Sequence, residues 1–358
     1  MWNLVRSWYQ EKFSDPQAVT LAMILVVGFA VIYFYGQLIT PLLVAIVLAY
    51  MLEWPVAQMA NRGMPRVLAA SLVLLTFVGA MALFCLVALP QIWNQGISLA
   101  RELPEMFSWA QGQVLTLPQL YPEFISESQI HDLMQTLNGR LLAWGQQVLQ
   151  VSLGSLIDLV ALAVYAILVP LLVFFFLKDK RELLRGFSRF VPDNRELAKK
   201  VWTEMNGQIV NYIRGKAIEI LIIGVTSYLT FLFMDLRYAA LLGLVVGLSV
   251  LIPYIGATVV TIPVAMVGLF QWGWTPQFGY LLLAYGIIQA LDGNVLVPLL
   301  FSEAVNLHPV AIIVSVLIFG GLWGFWGVFF AIPLATLVKA VVNAWPSTEL
   351  PAPAAELE

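Results

Sequence analysis

Long apolar runs separated by short polar breaks dominate the chain, and the lengths of those runs lay out a membrane topology. A helix that crosses a bilayer needs about 20 apolar residues. The run 17–35 meets that requirement. It is longer than a signal-peptide core and has no small-x-small site behind it, so it predicts a retained first span. Gly36-Gln37 predicts a tight break, 38–52 a second span with Pro41 near its start, and 67–89 a third span closed by Pro90. Residues 90–150 differ in kind. They carry Pro104, Pro118 and Pro122 and no run long enough to cross, while Leu133, Leu137, Leu141 and Val148 fall near helical spacing. This predicts a small extramembrane, periplasmic domain of short amphipathic helices. A fourth span follows at 151–177. Residues 1–16, with Trp2, Trp8, Tyr9 and Phe13 among Arg6 and Lys12, read either as a surface-lying amphipathic segment or as a leader without structure.

The pattern then changes. In 178–216, Asp193 and Glu196 have capping-box spacing, and Leu197, Val201, Met205, Ile209 and Ile213 recur every fourth residue. Leu183, Leu184, Phe187 and Phe190 form a shorter apolar stripe upstream. Two amphipathic helices under the membrane are expected, followed by a fifth span at 217–234.

Beyond that point the runs shorten. Residues 238–252 would span only about 22 Å as a helix, against a hydrocarbon thickness of about 30 Å. Pro253, Tyr254, Ile255 and Gly256 then break the run, and 257–270 is short again. The run 278–300 is long enough to cross. After a polar turn at 301–309, 310–319 and 328–342 are two more halves around Gly320, Gly321, Gly324 and Gly327. Two phrases echo each other. Ser249-Val250-Leu251-Ile252 precedes Ile262-Pro263, and Ser315-Val316-Leu317-Ile318 precedes Ile332-Pro333. The expected architecture is therefore an all-α, multi-pass helical bundle with an inverted repeat and two re-entrant hairpins, whose transport core is 217–343 and whose polar tail is 344–358. Four ordinary tilted spans at 238–251, 257–270, 310–322 and 325–342 satisfy the same pattern and remain open.

Composition supports lipid as the solvent. The chain is 61% hydrophobic and 11% charged, where a soluble domain carries about 25% charged residues. One cysteine, Cys85, and two histidines, His131 and His308, leave no disulfide framework and no histidine-rich metal centre. Ten of the eighteen basic residues lie in 178–216, which marks that loop as cytoplasmic. Counting spans from there puts Arg62 and Arg66 inside, the acid-rich 90–150 outside, and both termini in the cytoplasm. The basic loop reads as a solvated face obeying topology, or as a surface for anionic lipid headgroups or another subunit.

Candidate chemistry is sparse. Asp292 lies inside an apolar run beside Gly293 and Asn294, with Gln289 one turn before it. A charge at membrane depth costs at least about 2.5 kcal/mol, so it faces a cavity, a partner or a pathway. It reads as an ion, proton or substrate site, or as a structural carboxylate at a helix break. Glu219, just after Arg214 and Lys216, reads as a snorkelled ion pair at the inner interface or as part of the ion site. Glu303, Asn306 and His308 form a polar turn in which a histidine could titrate near neutral pH or simply cap a helix. Pro253, Gly256, Pro263, Gly320, Gly321, Gly324, Gly327 and Pro333 are the hairpin or hinge candidates. No phosphate loop, zinc-protease motif, dinucleotide fingerprint or nucleophile elbow occurs, so no cofactor, metal or nucleic-acid partner and no enzymatic activity are expected.

Taken together, Pro253-Tyr254-Ile255-Gly256-Ala257, Gln289 with Asp292, Asn294 and Pro298, Leu307-His308-Pro309, and the glycines leading to Ile332-Pro333-Leu334-Ala335 resemble the autoinducer-2 exporter family of membrane permeases. The resemblance runs from the N-terminus to about Trp345. It implies a bacterial inner-membrane protein, a homo-oligomer (a pentamer in the family's pattern), and export of a small polar signal or sodium/proton antiport. It also implies an acidic residue at Asp292. The expectation is a secondary transporter coupled to protons or sodium. A membrane scaffold acting through the basic loop and a passive channel are the competing classes.

Overall fold

A computed structural model of the chain describes residues 16–115, 156–188, 196–253, 255–301 and 307–344. Among them are helices and connecting turns and no strand. In sequence order the helices are α1 (Pro16–Asn61), α2 (Arg66–Leu115), α3 (Leu156–Lys178), α4 (Lys180–Ser188), α5 (Glu196–Phe233), α6 (Ala239–Ser249), α7 (Ile255–Trp272) and α8 (Pro276–Leu291). A π-helical turn at Asp292–Leu296 leads into α9 (Val297–Phe301), and α10 (Pro309–Phe329) and α11 (Ala331–Ala344) follow. Seven of the described segments are long and apolar enough to cross a membrane. Their outward faces carry large apolar side chains such as Phe34, Leu86, Phe233 and Leu299, each more than 70% exposed. Water would penalise such a surface and lipid does not. The chain is an all-α membrane protein.

Several expected boundaries are absent. Gly36-Gln37 does not break the chain: α1 runs through it for 46 residues, a rise of about 69 Å. Thr40 Oγ1 bonds the Gly36 carbonyl there at 3.0 Å. Pro90 does not end the third span either. Helix α2 continues through Pro90 and Pro104 to Leu115, well into the segment expected to be a separate domain. Residues 116–150, the remainder of that segment, lie outside the described residues. The amphipathic stripe and the fifth span are likewise one helix, α5. The physical reason is shared. A glycine or proline costs a helix about 1–3 kcal/mol, and ending a helix leaves several backbone groups without partners, a cost that is largest for the part of each helix that lies in lipid.

The chain divides into two compact units. One comprises Met1–Met51, Phe175–Arg214 and Phe301–Glu358, and the other Leu52–Phe174 and Gly215–Leu300. In the second unit, α6 and α7 pack on each other and on α2, and α7 packs on α8. Its core joins Ile223 and Phe231 of α5, Leu242 and Val246 of α6, Val260, Val264 and Val267 of α7, and Leu281, Tyr285 and Ile288 of α8. Small residues let the helices close up. A Cβ at Gly247 would lie 2.8 Å from the Gly224 Cα, and one at Gly243 would lie 2.7 Å from the Tyr228 Cβ. At one end of the unit Arg237 pairs with Glu102 at 3.2 Å, and Gln95 of α2 accepts from the Leu241 N–H of α6 at 2.9 Å.

In the first unit, α10 and α11 pack as a pair. Within α10, Gly324 takes φ 58°, ψ −132°, so two helical pieces meet there at a kink. The break expected across 320–327 is thus concentrated at one residue that only glycine accommodates. Tyr212 of α5 donates to the Phe329 carbonyl at 3.0 Å where α10 ends.

Candidate functional site

Helix α8 and the turn after it place Tyr285, Gln289 and Asp292 four and three residues apart, on one face. The α-helix gives way at Asp292. The Val297 N–H donates to the Asp292 carbonyl, five residues back, which is the π-helical pattern. Gly293 is a poor helix former, and the Asn294 side chain bonds the Ala290 carbonyl at 2.8 Å. Single π turns inside α-helices concentrate at functional sites.

Across the core, α5 carries Lys216 and Glu219 three residues apart. Their ion pair is 2.8 Å long. Lys216 also donates to the Val250 carbonyl at 2.7 Å. Val250 follows the last residue of α6, where helix carbonyls lose their partners and the helix dipole is negative. The ammonium thus caps the broken end of α6 while it pairs with Glu219. Asp292 lies within charge–charge reach of both Lys216 and Glu219. All three are buried: Glu219 is 1% exposed, Lys216 4% and Asp292 9%. The cluster therefore gathers one basic and two acidic side chains in an apolar interior.

Its hydrogen bonding is incomplete. Among the described residues, Asp292 Oδ1, Gln289 Nε2 and Ser227 Oγ are buried polar atoms with no bonding partner. Each such group costs about 1–3 kcal/mol if it stays unmet. The stacked rings of Phe231 and Tyr285 tie α5 to α8 beyond Ser227 and Gln289, and the Glu219–Asp292 coupling ties them on the other side. Beside Gln289, a groove of about 610 Å³ is lined also by Ala257, Thr258, Thr261, Ile262 and Ala265 of α7. Thr261 bonds the Ala257 carbonyl at 2.8 Å, and the Tyr285 hydroxyl donates to the same carbonyl at 3.3 Å. The groove combines small apolar walls with an amide and two hydroxyls, a lining suited to a small polar molecule.

The structure brings Asp292 and Glu219 together, with Gln289 one turn away. Glu219 is not snorkelled, because its pair with Lys216 is buried. Asn294 is exposed. Pro253 sits in the turn between α6 and α7, and Pro263 lies within α7. Gly256 opens α7 so close to α6 that a Cβ would overlap the Ser249 carbonyl. In the first unit, a Cβ at Gly327 would overlap the Phe319 carbonyl, Gly320 packs on Val328, and Gly321 has open space. Pro333 begins α11. His308 is exposed, and its Nδ1 accepts from the Val310 N–H at 3.2 Å as the N-cap of α10. Glu303 and Asn306 lie outside the described residues. No group of metal-ligating side chains occurs among the described residues.

Sequence reading offered Lys216 or Arg214 as an interfacial partner of Glu219; the structure selects Lys216, buries the pair and adds the bond to the Val250 carbonyl. Ser227, Thr261 and Tyr285 gave no signal, since hydroxyls are common in membrane helices.

Comparison with known proteins adds to this geometry. The profile of the AI-2E family transporter matches residues 22–347. A protein of Escherichia coli (strain K12) that carries the permease name PerM is 53% identical over 350 residues, covering 98% of this chain and 99% of that one. A protein of Bacillus subtilis (strain 168) named as the transport protein YueF is 27% identical over 318 residues, covering 86% and 84%. The AI-2 transport protein TqsA of Escherichia coli (strain K12) is 24% identical over 327 residues, covering 91% of each.

Proposed function

This chain belongs to the AI-2E family of transporters, and on that premise we propose that it carries a small polar solute across the bacterial inner membrane, driven by a cation that binds at Asp292. The observation that carries the proposal is the buried cluster of Lys216, Glu219 and Asp292. Two acids against one base would carry an excess negative charge if all were ionised, and acidic groups persist in an apolar interior where they serve binding or passage. The cluster touches two backbone irregularities, the end of α6 at Val250 and the π turn at Asp292. Both are places where a helix can change shape at low cost, so a change of charge there acts on movable elements. The groove beside Gln289 supplies the solute subsite. The AI-2 solute named for TqsA is the substrate class this reading takes for that subsite. Homo-oligomeric assembly and cytoplasmic termini belong to the same proposal.

Flux in proteoliposomes of the purified protein tests it. Asp292→Asn is expected to insert normally and lose gradient-driven transport by at least tenfold. Undiminished, saturable flux in that variant would overturn the coupling role. Flux that neither saturates nor follows an ion gradient would replace a transporter with a channel.

A further inference from the structure

We propose that the cation taken up at this cluster is a proton held by Asp292, and that the Lys216 ammonium is a tethered cation that keeps metal ions out. The proposal rests on the transport reading for the meaning of the site, but its test reads ion occupancy without any transport.

The argument starts from the oxygens. Glu219 Oε2 and the Val250 carbonyl are a carboxylate and a helix-end carbonyl, the kind of hard donors that a small metal cation gathers around itself. Here both face one nitrogen, at 2.8 Å and 2.7 Å. An ammonium is a compact point charge with three donors, so it occupies the position an ion would take, bonded to the Val250 carbonyl and in ion-pair contact with Glu219 Oε2. A metal ion needs several oxygens at once, and these two are engaged. A proton needs one lone pair. Asp292 Oδ1 is buried and without a partner among the described residues.

Charge count agrees. With all three groups ionised the cluster is one negative charge in excess, and a single added proton neutralises it. The proton comes from water, converts the Asp292 carboxylate to a carboxylic acid and returns to water on release. The neutral acid gains an O–H donor, where the carboxylate only accepts. Among the described residues of the helices packed around it, no other titratable group competes. Helices α6 and α7 contain none, and Tyr285 lies two turns away on α8. On α2, Glu102 is engaged by Arg237, and no charge of that helix acts on Asp292 or Glu219.

Infrared difference spectroscopy on the protein reconstituted in lipid tests this, reading the C=O stretch of a protonated carboxyl group through a pH titration. Wild type is expected to show a band that titrates, disappears in Asp292→Asn and persists in Glu102→Gln. Replacing choline chloride with sodium or lithium chloride at fixed pH is expected to leave the band unchanged. Lys216→Met is expected to make it sodium-sensitive, whereas Lys216→Arg retains the insensitivity. A band that is absent, or that survives in Asp292→Asn, would overturn the assignment of the proton. A wild-type band that sodium suppresses would overturn the exclusion of metal, and that arm needs no variant to fold. Each result is independent of flux. A failed titration alongside Asp292-dependent transport would sink the proton and spare the transporter.

Discussion

Lys216 Nζ donates to the backbone carbonyl of Val250 at 2.7 Å, a bond that joins two helices across 34 positions of sequence. The same ammonium is 2.8 Å from Glu219. One side chain thus holds the frayed end of α6, a carboxylate of its own helix and, through its charge, Asp292.

Removing that side chain alone should be costly. Lys216→Met leaves Glu219 buried and uncompensated, and breaking a buried pair from one side costs about 3–5 kcal/mol. Replacing both partners, as in Lys216→Met with Glu219→Met, should recover most of the loss. Chemical unfolding of the purified protein in detergent reads the difference. A double variant no more stable than the single one would mean that Lys216 matters for the Val250 carbonyl and not for the pair.

The approach of α7 to α6 gives a second expectation. Gly256→Ala would place a methyl group on the Ser249 carbonyl, a backbone atom with little freedom to yield. Overpacking of this kind costs about 1–3 kcal/mol or more, so reduced yield of folded protein is expected. Gly293→Ala meets nothing within 4 Å. It should be neutral or stabilising by up to about 1 kcal/mol. Size-exclusion profiles of the two variants compare them directly.

The contact of α5 with α6 is graded in the same way. A Cβ at Gly247 falls 2.8 Å from the Gly224 Cα and 2.9 Å from the Ile220 carbonyl, while one at Gly224 has its nearest neighbour at 3.4 Å. Gly247→Ala should therefore lower the melting temperature clearly more than Gly224→Ala. Equal shifts would show that the helices separate easily.

Topology can be read through the single cysteine. Cys85 is exposed on α2 and can be replaced by serine to give a cysteine-free background. Lys199→Cys on α5 is then expected to react with a membrane-impermeant maleimide only when the cytoplasmic side is opened. Glu102→Cys, beside Arg237, should react from outside in intact cells. The reverse pattern would invert the orientation read from the basic loop.

Beside Arg237 and Glu102, burial and a hydrogen bond to Glu102 push the Tyr238 hydroxyl up to about 12 from its ordinary value of 10.0. The folded state therefore holds this proton more tightly than the unfolded chain. Its stabilising effect is fully present below pH 10 and is lost as the pH rises through about 12. Ultraviolet titration should show one tyrosinate fewer near pH 10 than the exposed tyrosines predict, a deficit that disappears in Tyr238→Phe. An early-ionising Tyr238 would mean the contact with Glu102 does not form in solution.

The sequence by itself determined the solvent, the class of fold and the most conspicuous acid. Apolar run length and the crowding of bases into 178–216 act residue by residue through transfer from water to lipid, so they can be read without knowing any contact. Asp292 was legible for the same reason. Where helices end was not, as Gly36, Pro90 and Pro104 show. Whether a weak helix former stops a helix depends on what would satisfy the freed backbone groups, and that is a property of the surroundings. Only the tertiary structure could choose Lys216 over Arg214 and show what it holds. Its partner Val250 is a backbone carbonyl, which has no letter in the sequence. Its nearness to Asp292 exists only once α5 and α8 pack through Phe231 and Tyr285.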